Sequence, residues 1–202
     1  MIKMMRLVSS LFNKIRIRIN VICYDSLTLC EYYRARGADI GQNVIIKSKR
    51  LADEIYLIKI GNNVVIEEEV NFITHDGASI IFREEIPNLQ YFGRIIIEDN
   101  CYIGCRSIIT AGVRIGHNSI LSPSSVVIKD VPPNSLVCGN PARRILSVDD
   151  FKKKCVAEWK DMGLDRLKIK ARGRSDLLES KDVKELFREH LTRYYGQIDD
   201  NG

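Results

Sequence analysis

A chain of 202 residues, 45% hydrophobic and 28% charged, is sized for one ordinary soluble domain with small appendages. No uninterrupted apolar run approaches the roughly 20 residues of a membrane span, and six cysteines without a C-x-x-C pair read as reduced, mostly structural thiols. The net charge of +5 resides in residues 1–36, where seven basic side chains face only Asp25 and Glu31; with no zinc-finger spacing, RNA-binding aromatic motif or central basic stripe, nucleic acid is not an expected partner.

The opening stretch, MIKMMRLVSSLFNKIRIRINVIC, is basic and apolar. Lys14, Arg16 and Arg18 interrupt any secretory apolar region, and no small-x-small cleavage site follows, so the sequence places the protein in the cytoplasm. Residues 1–36 read as a solvated helix or strand pair packed on the main domain, the other reading being weak contact with an anionic membrane surface.

A six-residue rhythm then takes over. It opens at Ile40 in IGQNVII, continues through Ile60, Ile66 and Phe72, and resumes as Ile97, Ile103, Ile109, Ile115, Leu121 and Val127 without a slip. The fifth position of each later hexad is small or β-branched: Cys101, Ser107, Val113, Ser119, Ser125 and Val131. Between runs the phase slips. Ile40 to Ile60 is three hexads plus two residues, and Phe72 to Ile97 is four hexads plus one. A helix cannot produce period six, because it repeats every 3.6 residues. Plain strand alternation has no reason for a six-residue unit. A triangular coil does: each hexad is a short strand and a turn, three hexads close a circuit, and stacked circuits bury one aliphatic column.

These hexads, together with the ending VVIKDVPPNSLVCGNPARRI, resemble the hexapeptide-repeat acyltransferases, in particular the maltose, galactoside and polysaccharide O-acetyltransferase branch. The resemblance covers residues 37–146. It implies a mainly β fold, a left-handed parallel β-helix with an extruded loop at 76–94, and residues 147–202 as a C-terminal helical appendage. The hand comes from the resemblance alone. It further implies acetyl-CoA as donor and a homotrimer, with the donor site between adjacent prisms and the loop reaching a neighbour.

The longest break in the rhythm falls at NFITHDG, followed by ASIIFREEIPNLQYFGR. Breaking a stacked coil gives up ladder hydrogen bonds, and loops longer than about 12–15 residues in compact domains are disproportionately functional. His75, at the base of this loop, matches the family's catalytic histidine. Its imidazole, with an ordinary pKa near ~6.5, can take the proton of an attacking hydroxyl. Asn71, Asp76, Tyr91 and Phe92 are the candidate substrate-binding residues. Asp76 is also a candidate to orient the ring, and Tyr91 and Phe92 either stack on a sugar or anchor the loop.

For the coenzyme, the resemblance carries over Lys129 and Arg143 as partners of its anionic groups, with Arg144 as the neighbouring alternative. Lysine and arginine suit phosphate as a point charge and a planar fork. Cys105 and Pro123 match positions along the pantetheine arm and are one circuit of 18 residues apart. The family commonly has Ser or Gly at the first and Ala at the second, and Pro123 lacks an N–H to offer. His117 occupies an outward turn position, and His190 lies in the amphipathic pattern KDVKELFREHLTRYYG. Zinc carbonic anhydrases on a related coil need three converging histidines, so no metal is assigned.

After Ile145 the pattern turns helical. One helix should start after Ser147 and end at Gly163; another should span 181–195 and end at Gly196, with LDRLKIKARGRS as linker. These helices either cap the prism or bind a partner. Only about 36 residues precede the first hexad, which argues against the serine acetyltransferases and their large leading helical region. The expected function is acetyl transfer from acetyl-CoA to a sugar hydroxyl in surface polysaccharide biosynthesis. A catalytically inactive scaffold and an amino-sugar N-acetyltransferase are the alternatives.

Overall fold

The computed structural model describes residues 26–163 and 181–199, and the chain divides into two compact units, 1–148 and 149–202. The basic stretch through residue 25 and the linker reading of 164–175 lie outside the described residues.

The first unit is a three-sided stack of coils. Face A is built from β1 (Asp39–Ile40), β3 (Ile58–Ile60), β8 (Ile95–Ile97) and β11 (Arg114–Ile115), all parallel neighbours. Face B contains β2 (Ile45–Ile46), β4 (Val65–Ile66), β9 (Tyr102–Ile103), β12 (Ile120–Leu121) and β14 (Ser135–Cys138), with β15 (Arg143–Ser147) added antiparallel at its end. Face C contains β5 (Asn71–Ile73), β10 (Ile108–Thr110) and β13 (Val126–Val127). Registers follow the hexads: Tyr102 pairs with Ile120, Ile108 with Val126, and Arg114 with Ile96.

The first and fifth positions of the hexads point inward. Ile97, Ile103, Ile109, Ile115 and Leu121 are fully buried, and so are Ser107, Ser119 and Ser125. Burying such aliphatic side chains contributes about 1.5–3 kcal/mol each. The buried hydroxyls are satisfied by backbone carbonyls, as in Ser125 Oγ to the Ser122 oxygen at 2.7 Å. Burial pushes the Cys101 thiol up to about 11, with its hydrogen bond to backbone and nearby acidic charges as lesser influences, which leaves it inert at neutral pH.

The fourth position makes the corners. Between faces A and B it is asparagine on every coil, at positions 43, 63, 100, 118 and 134, each with φ between 54° and 57°. Asparagine tolerates this left-handed conformation better than most residues. Its side-chain amides also form a ladder: Asn63 Nδ2 donates to Asn100, Asn100 to Asn118, and Asn118 to Asn134, at 3.0–3.1 Å. Between faces B and C the same position is Glu69, Arg106 and Ser124, again with positive φ.

Helix α1 (Ser26–Ala35) lies against β1 and β2 at the first coil. Leu29, Cys30 and Tyr33 join the core, and the Tyr33 hydroxyl donates to the Ser48 carbonyl at 2.9 Å. At the last coil the chain from Gly139 to Ala142 bonds both backbone groups of Val126 before turning into β15.

In the second unit α2 (Val148–Asp161) begins directly after Ser147. Asp149 and Asp150 in its first turn and Lys160 in its last suit the helix dipole. The other helix, α3 (Lys181–Asp199), runs through Gly196, where the sequence reading ended it. A glycine inside a helix costs only about 1 kcal/mol, and no proline follows to stop it. His190 lies 3.8 Å from Asp161. Among the described residues no helix is long and apolar enough to cross a membrane.

The corner asparagines can be tested by denaturant unfolding. Asn100→Ala should lose more stability than Asn100→Gly, by about 1 kcal/mol, because both lose the ladder but only alanine is strained at φ 57°. Equal losses would mean that the ladder, not the conformation, selects asparagine there.

Candidate active site

All the departures from six-residue spacing fall at one edge of the prism, where face C passes to face A. From A to B and from B to C the step is six on the coils the sequence reading defined, as in Ile97, Ile103 and Ile109. From C to A it varies. On the first coil, Ala52 to Ile60 is two residues longer, and the excess forms a turn of 3₁₀ helix at Ile55–Leu57. On the second coil, Phe72 to Ile97 contains the long excursion. The third makes the corner in six with Gly112 at φ +84°, and the fourth, from Val127 to Val131, is two residues short.

The excursion starts with β6 (His75–Asp76), passes through a 3₁₀ helix at Gly77–Phe82, and returns through β7 (Tyr91–Phe92), which pairs antiparallel with β6. It rejoins the coil at Gly93, whose N–H donates to the Thr74 carbonyl at 2.9 Å. A Cβ on Gly93 would lie 2.3 Å from the Gly112 nitrogen, so the returning strand can press onto the next coil only as glycine. Within the excursion Ile80, Ile81, Phe82 and Ile86 are exposed.

The two insertions bring Glu54 to His75. Glu54 Oε2 lies 2.9 Å from His75 Nδ1, and it also accepts from the Thr74 hydroxyl at 2.5 Å. The Glu54 side chain is 19% exposed and that of His75 is 37% exposed. Burial pushes the Glu54 carboxyl up, but the hydrogen bonds from Thr74 and His75 outweigh this and hold it below the ordinary carboxylate range. An ionised carboxylate only accepts, so Nδ1 of a neutral His75 must carry the proton and Nε2 keeps its lone pair. The hydrogen bond and charge of Glu54 raise the His75 pKa above its ordinary value.

The other candidate residues separate into groups. Asn71 shares with His75 a cleft of about 170 Å³, lined also by Arg50 and Asp53. Asp76 is not the Nδ1 partner: its carboxylate accepts from the Ala78 N–H at 2.8 Å and caps the 3₁₀ helix. Phe92 is the strand partner of His75, with ring centroids 5.9 Å apart. Tyr91 is exposed with its hydroxyl beside Gly112. Cys105 and Pro123 do stack on consecutive coils, where the Ser124 N–H donates to the Cys105 carbonyl at 2.8 Å, but they lie at the B–C edge. Lys129 is exposed at the short C–A corner of the fourth coil, about 10 Å along the axis from His75 if two strand spacings of about 4.8 Å separate their coils. Arg143 and Arg144 are exposed on β15, at the end of face B. One chain thus brings together His75, Asn71, Tyr91 and Phe92, with Lys129 two coils away on the same edge and the other coenzyme candidates elsewhere on the prism.

His117 is exposed and forms a second histidine–carboxylate pair, Nδ1 to Glu98 at 3.1 Å, on face A. Among the described residues no group of three or more His, Cys, Asp or Glu side chains is arranged to hold a metal. Glu54 was missed in the sequence. Its signal was the two-residue slip between Ile40 and Ile60, which marks an insertion one coil before the histidine.

The sequence profile described as Bacterial transferase hexapeptide (six repeats) matches residues 94–129. Over 124 residues the chain is 42% identical to Protein CapG of Staphylococcus aureus, a match covering 60% of this chain and 72% of CapG. The chain belongs to the hexapeptide-repeat acetyltransferases. It is 32% identical to the galactoside O-acetyltransferase of Escherichia coli K12, spanning 56% of each chain. Among solved structures, a hexapeptide-repeat-containing acetyltransferase from Vibrio cholerae, complexed with acetyl coenzyme A, superposes with a TM-score of 0.53 at 26% identity, covering 65% of this chain and 83% of that one. Membership of the hexapeptide-repeat acetyltransferases implies that the coil is left-handed.

The pair has a pH signature. Its stabilisation is complete between ~4.3 and ~6.5, where Glu54 is ionised and His75 protonated in folded and unfolded chains alike, and it is lost as pH rises through the higher folded value of His75 or falls through the lower folded value of Glu54. Followed by NMR of the ring protons, His75 should titrate above ~6.5. Glu54→Gln should return it towards that value, and Asp76→Asn should move it less. An unchanged midpoint in Glu54→Gln would remove the carboxylate as the cause.

Proposed function

We propose that the chain transfers an acetyl group from acetyl-CoA to a sugar hydroxyl, in the making of a surface polysaccharide or its precursor. The observation that carries this is the His75–Glu54 pair at the interrupted edge, with Nε2 free to face a cleft. His75 acts as general base. Its Nε2 takes the proton as the acceptor oxygen attacks the thioester carbonyl, and returns it to the coenzyme sulfur as the tetrahedral intermediate collapses. Glu54 is a positioning residue: it fixes the tautomer and stabilises the imidazolium formed midway. Asn71, Asp76, Tyr91 and Phe92 bind or shape the acceptor side, Phe92 by packing on the imidazole.

The coenzyme is held by Cys105 and Pro123 along its pantetheine and by Lys129, Arg143 and Arg144 at its anionic groups. Their distribution over two edges and face B of one prism supports a donor site between prisms in a homotrimer, where one chain's B–C edge meets another's C–A edge. The excursion at 76–94, with its exposed Ile80, Ile81 and Phe82, reaches across such a junction. The galactoside O-acetyltransferase at 32% identity supports sugar-type O-acetylation over serine or amino-sugar chemistry. A catalytically silent scaffold would have no use for a half-buried carboxylate held on a half-exposed imidazole.

Thiol release from acetyl-CoA with a panel of sugars tests the assignment. His75→Ala should lower kcat/KM by about 10²–10⁴-fold, the usual contribution of a positioned general base. For the wild type kcat/KM should rise with pH through an apparent pKa above ~6.5, because only neutral imidazole accepts a proton. Full turnover by His75→Ala would rule out the proton-transfer role.

A further inference from the structure

Residues 1–25 carry a sequence pattern that acetyl transfer does not use. They hold five basic side chains, Lys3, Arg6, Lys14, Arg16 and Arg18, and no acidic one before Asp25. Their apolar residues are spaced as well as frequent: Met5, Val8, Phe12, Ile15, Ile19 and Ile22 recur at intervals of three and four. That is the spacing of one helical face. A basic stretch with such a face is the pattern that lies in the headgroup region of an anionic bilayer.

The column shows where this stretch joins. It leads into α1, which packs on β1 and β2 and sends Leu29, Cys30 and Tyr33 into the core, so the stretch leaves from the first-coil end. Arg34 and Arg36 are exposed at that end, with Glu31 the single acidic side chain of α1. Arg34 Nε donates to the Ile40 carbonyl at 3.1 Å, and Arg36 Nη1 donates to the Tyr32 hydroxyl at 3.2 Å. A guanidinium has five N–H donors, so each arginine can be held in this way and still meet an outside anion.

We propose that the first-coil end of the column is a docking surface for an anionic lipid bilayer, formed by residues 1–25 together with Arg34 and Arg36. This goes beyond acetyl transfer and does not depend on its acceptor. Charge decides the occupant. Five cations without a carboxylate among them repel a second copy of the same stretch, and a stripe of apolar side chains gains nothing from the phosphates of a nucleic acid. An anionic bilayer satisfies both, attracting the cations and burying the stripe. The homotrimer proposed above uses edges along the column, whereas this surface is the column's end. A helix is about 10 Å across and coils are about 4.8 Å apart, so docking through α1 puts His75, on the second coil, about 15 Å from the headgroups.

The test is sedimentation of the full chain with vesicles of phosphatidylcholine alone or mixed with phosphatidylglycerol. The chain should go down with the mixed vesicles, be released as salt is raised, and leave the neutral vesicles bare. Lys14→Gln, Arg16→Gln and Arg18→Gln combined should lower the partition coefficient about 10²-fold, at about fivefold per cation. Phe12→Gln and Ile15→Gln combined should lower it with the salt slope unchanged, which attraction to net charge alone would not do. Lys152→Gln and Lys153→Gln combined, on α2, should leave it unchanged. No partition into the mixed vesicles would overturn the proposal, as would an equal loss from the α2 pair or no loss from the Phe12 and Ile15 pair. A chain that ignores both vesicles, and whose sedimentation velocity falls in the Phe12 and Ile15 variant, would overturn it in favour of a second copy on the stripe.

Discussion

Stacking of one coil on the next through backbone hydrogen bonds sets what every other part of this molecule can be. Each circuit must place an aliphatic side chain over the one below, as Ile97, Ile103 and Ile109 lie over Ile115, Leu121 and Val127. Two of the three corners therefore admit no change in length. The corner between faces C and A absorbs all of it, and the candidate residues collect there. An insertion of two residues supplies Glu54, a far longer one supplies His75, Tyr91 and Phe92, and a corner two residues short presents Lys129.

That arrangement gives the His75–Glu54 pair an economical origin. Neither residue lies in the regular ladder, so neither has to satisfy the inward hexad pattern. Both leave stacked coils at the same edge, so the hydrogen-bonded walls beneath fix where they emerge. Thr74, buried at the end of β5, adds a second bond to the same Glu54 oxygen. The carboxylate is thus aimed by a hydroxyl and an imidazole together, which makes it a firmer support than an exposed ion pair would be.

The aliphatic column was legible because period six has no other common origin, and every first-position residue named from Ile97 to Val127 is buried. The corner asparagines were equally visible at positions 43, 63, 100, 118 and 134, yet their meaning needs φ, which the letters do not print. Glu54 escaped because the slip that contains it is only two residues and offers Asp53 as an equal acidic candidate. Asp76 drew attention by adjacency, but neighbouring residues in a strand point to opposite sides, and its carboxylate turns back to Ala78. Cys105 and Pro123 were read correctly as vertical neighbours. Spacing could not say that their wall is a different edge from that of His75, because the excursion hides the count of corners. The end of α3 was misplaced at Gly196, where glycine weakens a helix without ending it.

A stack of parallel rungs would be an open template at each end, ready to accept another copy as its next rung. Here α1 lies against the first coil, with Leu29, Cys30 and Tyr33 sunk into the column. At the far end β15 folds back antiparallel over β14, while residues 139–142 occupy the backbone of Val126. Rung-by-rung extension of the column is blocked at both ends by the chain itself.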